Sequence, residues 1–109
     1  MGNCLIVRKG NTDIKLSSTG SVYHKETYNA TQPAYTVTAE KNGIVIFFDR
    51  ATSYTGSPTI TGATSQLLYI DEKYADIFVY QVKKGDVVTI SAVGMSGYGS
   101  RDCYLIYFN

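Results

Sequence analysis

The residues available for chemistry are few: one histidine, two cysteines and nine carboxylates in 109 residues. His24 stands in the polar stretch His24-Lys25-Glu26 and reads as a surface residue. With no second histidine, a three-ligand zinc site would have to draw on carboxylates or cysteines far off in sequence. No GxSxG elbow accompanies any serine, so a Ser-His-Asp arrangement has no local anchor. The run Gly94-Met95-Ser96-Gly97-Tyr98-Gly99 has the glycine density of a phosphate loop. It leads into a strand pattern and so lacks the helix N-terminus that phosphate binding uses. A β-hairpin tip is the expected reading. Asp71, Glu72 and Asp76 around Tyr74 offer hard oxygen ligands for Ca²⁺, although the same charges serve to solvate a turn. No catalytic, metal or cofactor-binding residue is therefore assigned and no cofactor is expected. Tyr54 and Tyr98, in loops, are the candidates for ligand contact, because tyrosine joins an apolar ring to a polar tip.

The cysteines have neither CxxC spacing nor a histidine for company. Cys4 lies in the first apolar run and Cys103 in the last, and terminal strands of a β-sandwich are often neighbours. A Cys4–Cys103 disulfide and two free buried thiols both remain open, the thiols favoured without an export signal. Met1-Gly2-Asn3-Cys4 resembles an acylation signal, but Ile6 replaces the Ser or Thr that the motif wants. Asn29-Ala30-Thr31 is a glycosylation sequon, meaningful only in a secreted eukaryotic chain.

Composition narrows the partners. A net charge of +1 with scattered basic residues argues against nucleic acid, because counterion-release binding needs several clustered cations. No run approaches the roughly 18 apolar residues of a membrane span, and no signal-peptide core precedes Arg8, so no membrane partner is expected. The length predicts one domain over 1–109, and 44% apolar residues are enough for a core.

The elements that must position these residues read as strands. Ten tyrosines, four phenylalanines and abundant Val, Ile and Thr favour β structure. Turn signals recur about every 8–12 residues, the spacing of an all-β sandwich or barrel. Leu5-Ile6-Val7 reads as a buried first strand, Ile14-Lys15-Leu16 as a short one closed by a Ser17–Gly20 turn, and Asn29–Pro33 as a surface loop. Tyr35, Val37 and Ala39 alternate with polar residues on a half-buried strand. Asn42-Gly43 predicts a type I′ hairpin turn into Ile44-Val45-Ile46-Phe47-Phe48, apolar on both faces and hence central. Strands follow around Ile60, over Gln66–Ile70, Ile77–Val82 and Val87–Val93, and from Cys103 onward. Between them lie polar turns at Asp71–Lys73 and Lys83-Lys84-Gly85-Asp86. The count is eight to ten strands and no significant helix.

Two stretches carry a family resemblance. Lys84-Gly85-Asp86-Val87-Val88-Thr89-Ile90, the Gly94–Ser100 loop and Tyr104-Leu105-Ile106-Tyr107 resemble the closing strands of a C1q- or TNF-like jelly roll. Tyr35 to Phe47 is similar to that family's middle hairpin, and together the likeness spans roughly 70 residues, leaving the first 30 unaligned. The resemblance implies an antiparallel β-sandwich of jelly-roll type that forms a homotrimer about aromatic and aliphatic residues. It also implies a non-enzymatic structural or receptor-binding role, as in tail or head fibres of bacteriophages. The partners would then be other virion proteins or bacterial cell-surface carbohydrate, with the protein assembled in bacterial cytoplasm and located in the virion. Two alternatives are an extracellular C1q/TNF-like protein- or carbohydrate-binding domain and a small hydrolytic domain using His24.

Overall fold

The computed structural model describes residues 4–9 and 12–108, with side chains from Val22 to Phe108. Its regular elements are all strands, beginning with β1 (Cys4–Lys9), β2 (Thr12–Tyr28), β3 (Thr31–Gln32) and β4 (Tyr35–Thr38). Next come β5 (Gly43–Ala51), β6 (Tyr54–Thr55), β7 (Ile60–Thr61) and β8 (Ser65–Asp71). The chain continues with β9 (Ala75–Val82), β10 (Val87–Ile90), β11 (Val93–Ser96) and β12 (Tyr98–Phe108).

Six strands form one antiparallel sheet in the order β1-β2-β12-β5-β9-β8. The others pair as β4-β10-β7 and β3-β11-β6. The register that sets Ile90 opposite Tyr35 runs unchanged to Val93 opposite Gln32, so these are two halves of one three-stranded sheet. Pro33 makes the interruption, because it has no N–H to give to the ladder. Counting each of the three broken strands once, the twelve elements make nine strands, within the expected range. Apart from the β1–β2 and β8–β9 hairpins the chain changes sheet at each step, which is the alternation of a jelly-roll sandwich.

Alternation along the strands builds the core. Val45 and Phe47 of β5, Phe78 and Val82 of β9, and Leu105 of β12 point inward against Val37, Val88 and Ile90 of the smaller sheet. Each such side chain contributes roughly 1.5–3 kcal/mol by leaving water. Cys103 joins them as a free, fully buried thiol, and burial pushes its pKa up to about 12.

Several expectations are corrected. The Asn42-Gly43 hairpin does not form: β4 pairs with β10 and β5 with β12 and β9, so the connection crosses between sheets. Neither residue has a positive φ. Gly43 is required by proximity instead, since a Cβ there would sit 2.2 Å from the Ile106 carbonyl oxygen. The Ser17–Gly20 turn is absent because β2 continues through it along β12, with the register shifting beside Tyr104. The Asn29–Pro33 loop holds a strand, β3, and buries Gln32 completely. The Gly94–Ser100 tip narrows to Gly97 and joins two sheets rather than two hairpin strands. Cys4 and Cys103 are not on neighbouring strands: β2 lies between β1 and β12, about 10 Å of strand spacing, beyond disulfide reach. Two features stand as read. Gly85 has a φ of 95°, and Asp86 Oδ2 accepts the Lys83 N–H at 2.9 Å within its turn. Arg8 and Lys9 lie on β1, whose side chains are outside the described set.

Candidate functional site

Tyr98 opens β12 and is 70% exposed; opposite it, in register, the last residue of β2 is Tyr28, 61% exposed. Their rings meet at 4.8 Å between centroids, tilted by 59°. The pair stands on a braced tip. Asn29, with a φ of 46°, accepts the Gly97 N–H through Oδ1 at 2.6 Å, and its own N–H donates to the Gly97 carbonyl at 3.0 Å. The Thr52 hydroxyl oxygen accepts the Tyr98 N–H at 2.9 Å, while the Thr52 N–H donates to the Tyr98 carbonyl at 2.8 Å. Gly97 makes this closure possible, since a Cβ there would lie 2.2 Å from Thr52 Oγ1.

Beside Tyr98 lies a cavity of about 320 Å³ lined by Glu26, Arg50, Ala51, Thr52, Gly99 and Ser100. Its shape follows from one register row. Ser100 on β12 stands between Glu26 on β2 and Arg50 on β5, so a short side chain forms a floor between two long ones. Tyr98, expected to touch ligand, is therefore at a cavity. Tyr54, also expected to do so, is exposed on β6 opposite Ser96 and does not line it. Glu26, Tyr28, Arg50 and Ser100 were not singled out from the sequence, because only the register brings them together.

The next inward-facing row is the most charged part of the interior. Arg101, Asp49, Asp76 and Asp71 lie in register across β12, β5, β9 and β8. Arg101 and Asp49 are fully buried and joined twice, Nε to Oδ1 and Nη2 to Oδ2, each at 2.8 Å. Nη1 donates to the carbonyls of Pro33 at 2.7 Å and Ser91 at 2.8 Å. These are the acceptors freed where Pro33 interrupts the smaller sheet, so one guanidinium ties the two layers together. Asp76 is also fully buried, with no donor on either oxygen. Burial first, then the adjoining Asp71, pushes its pKa up to about 7. The exposed Asp71 is held low, first by the adjoining Asp76 and then by the hydroxyls of Ser57 and Tyr69. One shared proton, carried by Asp76, accounts for both directions. Phase carried the signal for this row: Asp49 keeps step with Val45 and Phe47, Asp76 with Phe78 and Tyr80, and Arg101 with Cys103 and Leu105.

His24 is exposed as expected but not isolated. Nδ1 lies 2.6 Å from Asp102 Oδ1, and Nε2 lies 4.0 Å from Glu26. The ring thus faces a carboxylate on each side, and no serine or thiol is hydrogen-bonded to it among the described residues. Of the suggested Ca²⁺ ligands, Asp71 and Asp76 come together. No group of three or more His, Cys, Asp or Glu side chains able to hold a metal ion is found among the described residues.

The outer face of the six-stranded sheet is apolar over three strands. Ile44, Ile46 and Phe48 of β5, Ile77 and Val79 of β9, and Tyr104, Ile106 and Phe108 of β12 all point away from the core and are half-buried. Tyr104, Ile46, Val79 and Leu68 form one continuous row, and Leu68 on the edge strand β8 is exposed. Compared with models of known protein families, with curated proteins and with solved structures, the chain matches none.

Proposed function

We propose that this domain is a non-enzymatic assembly and binding module that works as a homotrimer. The observation that carries the reading is the apolar outer face: eight Ile, Val, Phe and Tyr side chains in register on β12, β5 and β9, with no layer of the described chain over them. A contiguous apolar surface of this kind marks an interaction site, and a closed symmetric assembly buries it without leaving a repeat of it exposed. The jelly-roll resemblance supplies the number three and the setting, a phage tail or fibre whose partners are other virion proteins or a cell-surface glycan. The extracellular alternative loses its disulfide, because β2 separates the strands of Cys4 and Cys103.

Light scattering coupled to size exclusion tests the assembly. From a 12.0 kDa chain the expected mass is about 36 kDa, falling to that of one chain in Ile46→Lys, which places an ammonium in the middle of the face. A wild-type protein that elutes as a clean monomer at micromolar concentration overturns the reading.

A further inference from the structure

We infer that the cavity beside Tyr98 binds a single sugar residue, presented alone or at an exposed position of a glycan. This deepens the reading of a binding module by naming its ligand class. Three polar groups converge on the space, Arg50 and Ser100 unengaged and Glu26 4.0 Å from His24 Nε2. The Arg50 guanidinium makes no ion pair among the described residues and only skirts the Phe48 ring at 5.8 Å. The Ser100 hydroxyl at the floor makes no hydrogen bond among the described residues, and the Glu26 carboxylate is mostly solvent-exposed. Glu26 and Arg50 stand on strands either side of β12, about 10 Å apart, with the floor between them.

The charges select against ions. An anion drawn to Arg50 meets Glu26 across the cavity, and a cation drawn to Glu26 meets Arg50. A neutral ligand carrying both donors and acceptors suits both walls: its hydroxyls donate to the carboxylate and accept from the guanidinium. The rim adds the other requirement. The exposed rings of Tyr28 and Tyr98, in contact with each other, offer apolar surface with few rotatable bonds to order, matching the C–H face of a pyranose. At about 320 Å³ the cavity lies at the small end of ligand sites, which suits one sugar ring. It also survives assembly. The apolar rows of the outer face stop at Phe48 and Ile77, and the Glu26–Ser100–Arg50 row begins beyond them, so the cavity lies at the rim of the proposed trimer interface.

The test is saturation-transfer NMR on the full chain with the methyl glycosides of glucose, galactose, mannose and N-acetylglucosamine, with free glycine as the zwitterionic competitor. Transfer to at least one glycoside is expected. Tyr98→Ala should weaken it about tenfold, and Arg50→Ala should abolish it. Tyr74→Ala, which removes an exposed tyrosine elsewhere, should leave it intact. No transfer to any of the four glycosides, transfer undiminished by Tyr98→Ala, or displacement by glycine overturns the proposal. Circular dichroism of each variant separates lost binding from lost fold, and light scattering on the same samples separates this inference from the assembly reading. Binding by a monomer sinks only the trimer, and a trimer that binds none of the glycosides sinks only the sugar site.

Discussion

Replacing Asp76 with Asn is expected to stabilise the domain at neutral and alkaline pH and to flatten its pH profile below. Asp76 is surrounded by its own sign of charge: Asp49 faces it from β5 and Asp71 from β8. The cation of the row, Arg101 on β12, is committed to Asp49, and Thr55 of β6 offers only a hydroxyl. Its pKa is therefore raised from 3.8 to about 7, burial being the first cause and Asp71 the second. The sign follows from linkage. Below the unfolded value both states hold the proton and nothing is lost. Between about 4 and 7 the unfolded chain releases a proton that the folded chain keeps, so stability falls as pH rises. Above about 7 the cost is complete. The full shift corresponds to about 4 kcal/mol. Asp71 lies at the water-facing end of the row, and screening there reduces the working figure to roughly 2 kcal/mol. Asparagine keeps the shape, stays neutral at every pH and has an N–H₂ to donate to Asp71. Urea denaturation of both proteins at pH 4, 6 and 8 should give curves that nearly meet at pH 4 and separate by about 2 kcal/mol at pH 8, the variant being more stable. Parallel curves, or a variant less stable at pH 8, would refute a buried acid held neutral.

Two further perturbations probe the architecture. Arg101→Leu should cost about 3–5 kcal/mol in the same denaturation experiment, because it strands Asp49 and two carbonyls without donors, whereas the double change Arg101→Met with Asp49→Leu should recover much of that loss; equal losses would mean that packing and not charge pairing governs the site. Gly43→Ala should cost about 1–3 kcal/mol through its clash with the Ile106 carbonyl, while Gly94→Ala, with nothing within 4 Å of the added methyl, should be neutral or stabilising by up to about 1 kcal/mol; melting temperatures that fall together would remove the steric account.

What could be read from the chain was whatever a strand displays by itself. Tyr35-Thr36-Val37-Thr38 alternates and has one wet face, Ile44 to Phe48 does not and is central, and Gly85 and Asp86 close a turn through contacts three residues apart. The errors came where a local signal competed with partners distant in sequence. Asn42-Gly43 has the residues of a hairpin turn, but β5 gains more by pairing along its whole length with β12 and β9 than it would by returning along the four residues of β4. The cavity depended on register altogether: Glu26, Arg50 and Ser100 are unremarkable in sequence and become one row only when β2, β12 and β5 lie side by side.

The buried charges fall between these cases. Position along each strand announces that Asp49, Asp76 and Arg101 face inward, since each continues an inward apolar series two residues at a time. An inward charge is costly, so the pattern alone requires a partner for each. With one cation for two acids, phase also implies that one acid is left without a counterion. Pairing order then decides which: β12 lies next to β5, so Arg101 meets Asp49, and Asp76, one strand further out, must keep its proton instead. The acid held neutral near pH 7 is thus the consequence of two features of different origin, an alternation written in the sequence and a strand order that only the folded sheet supplies.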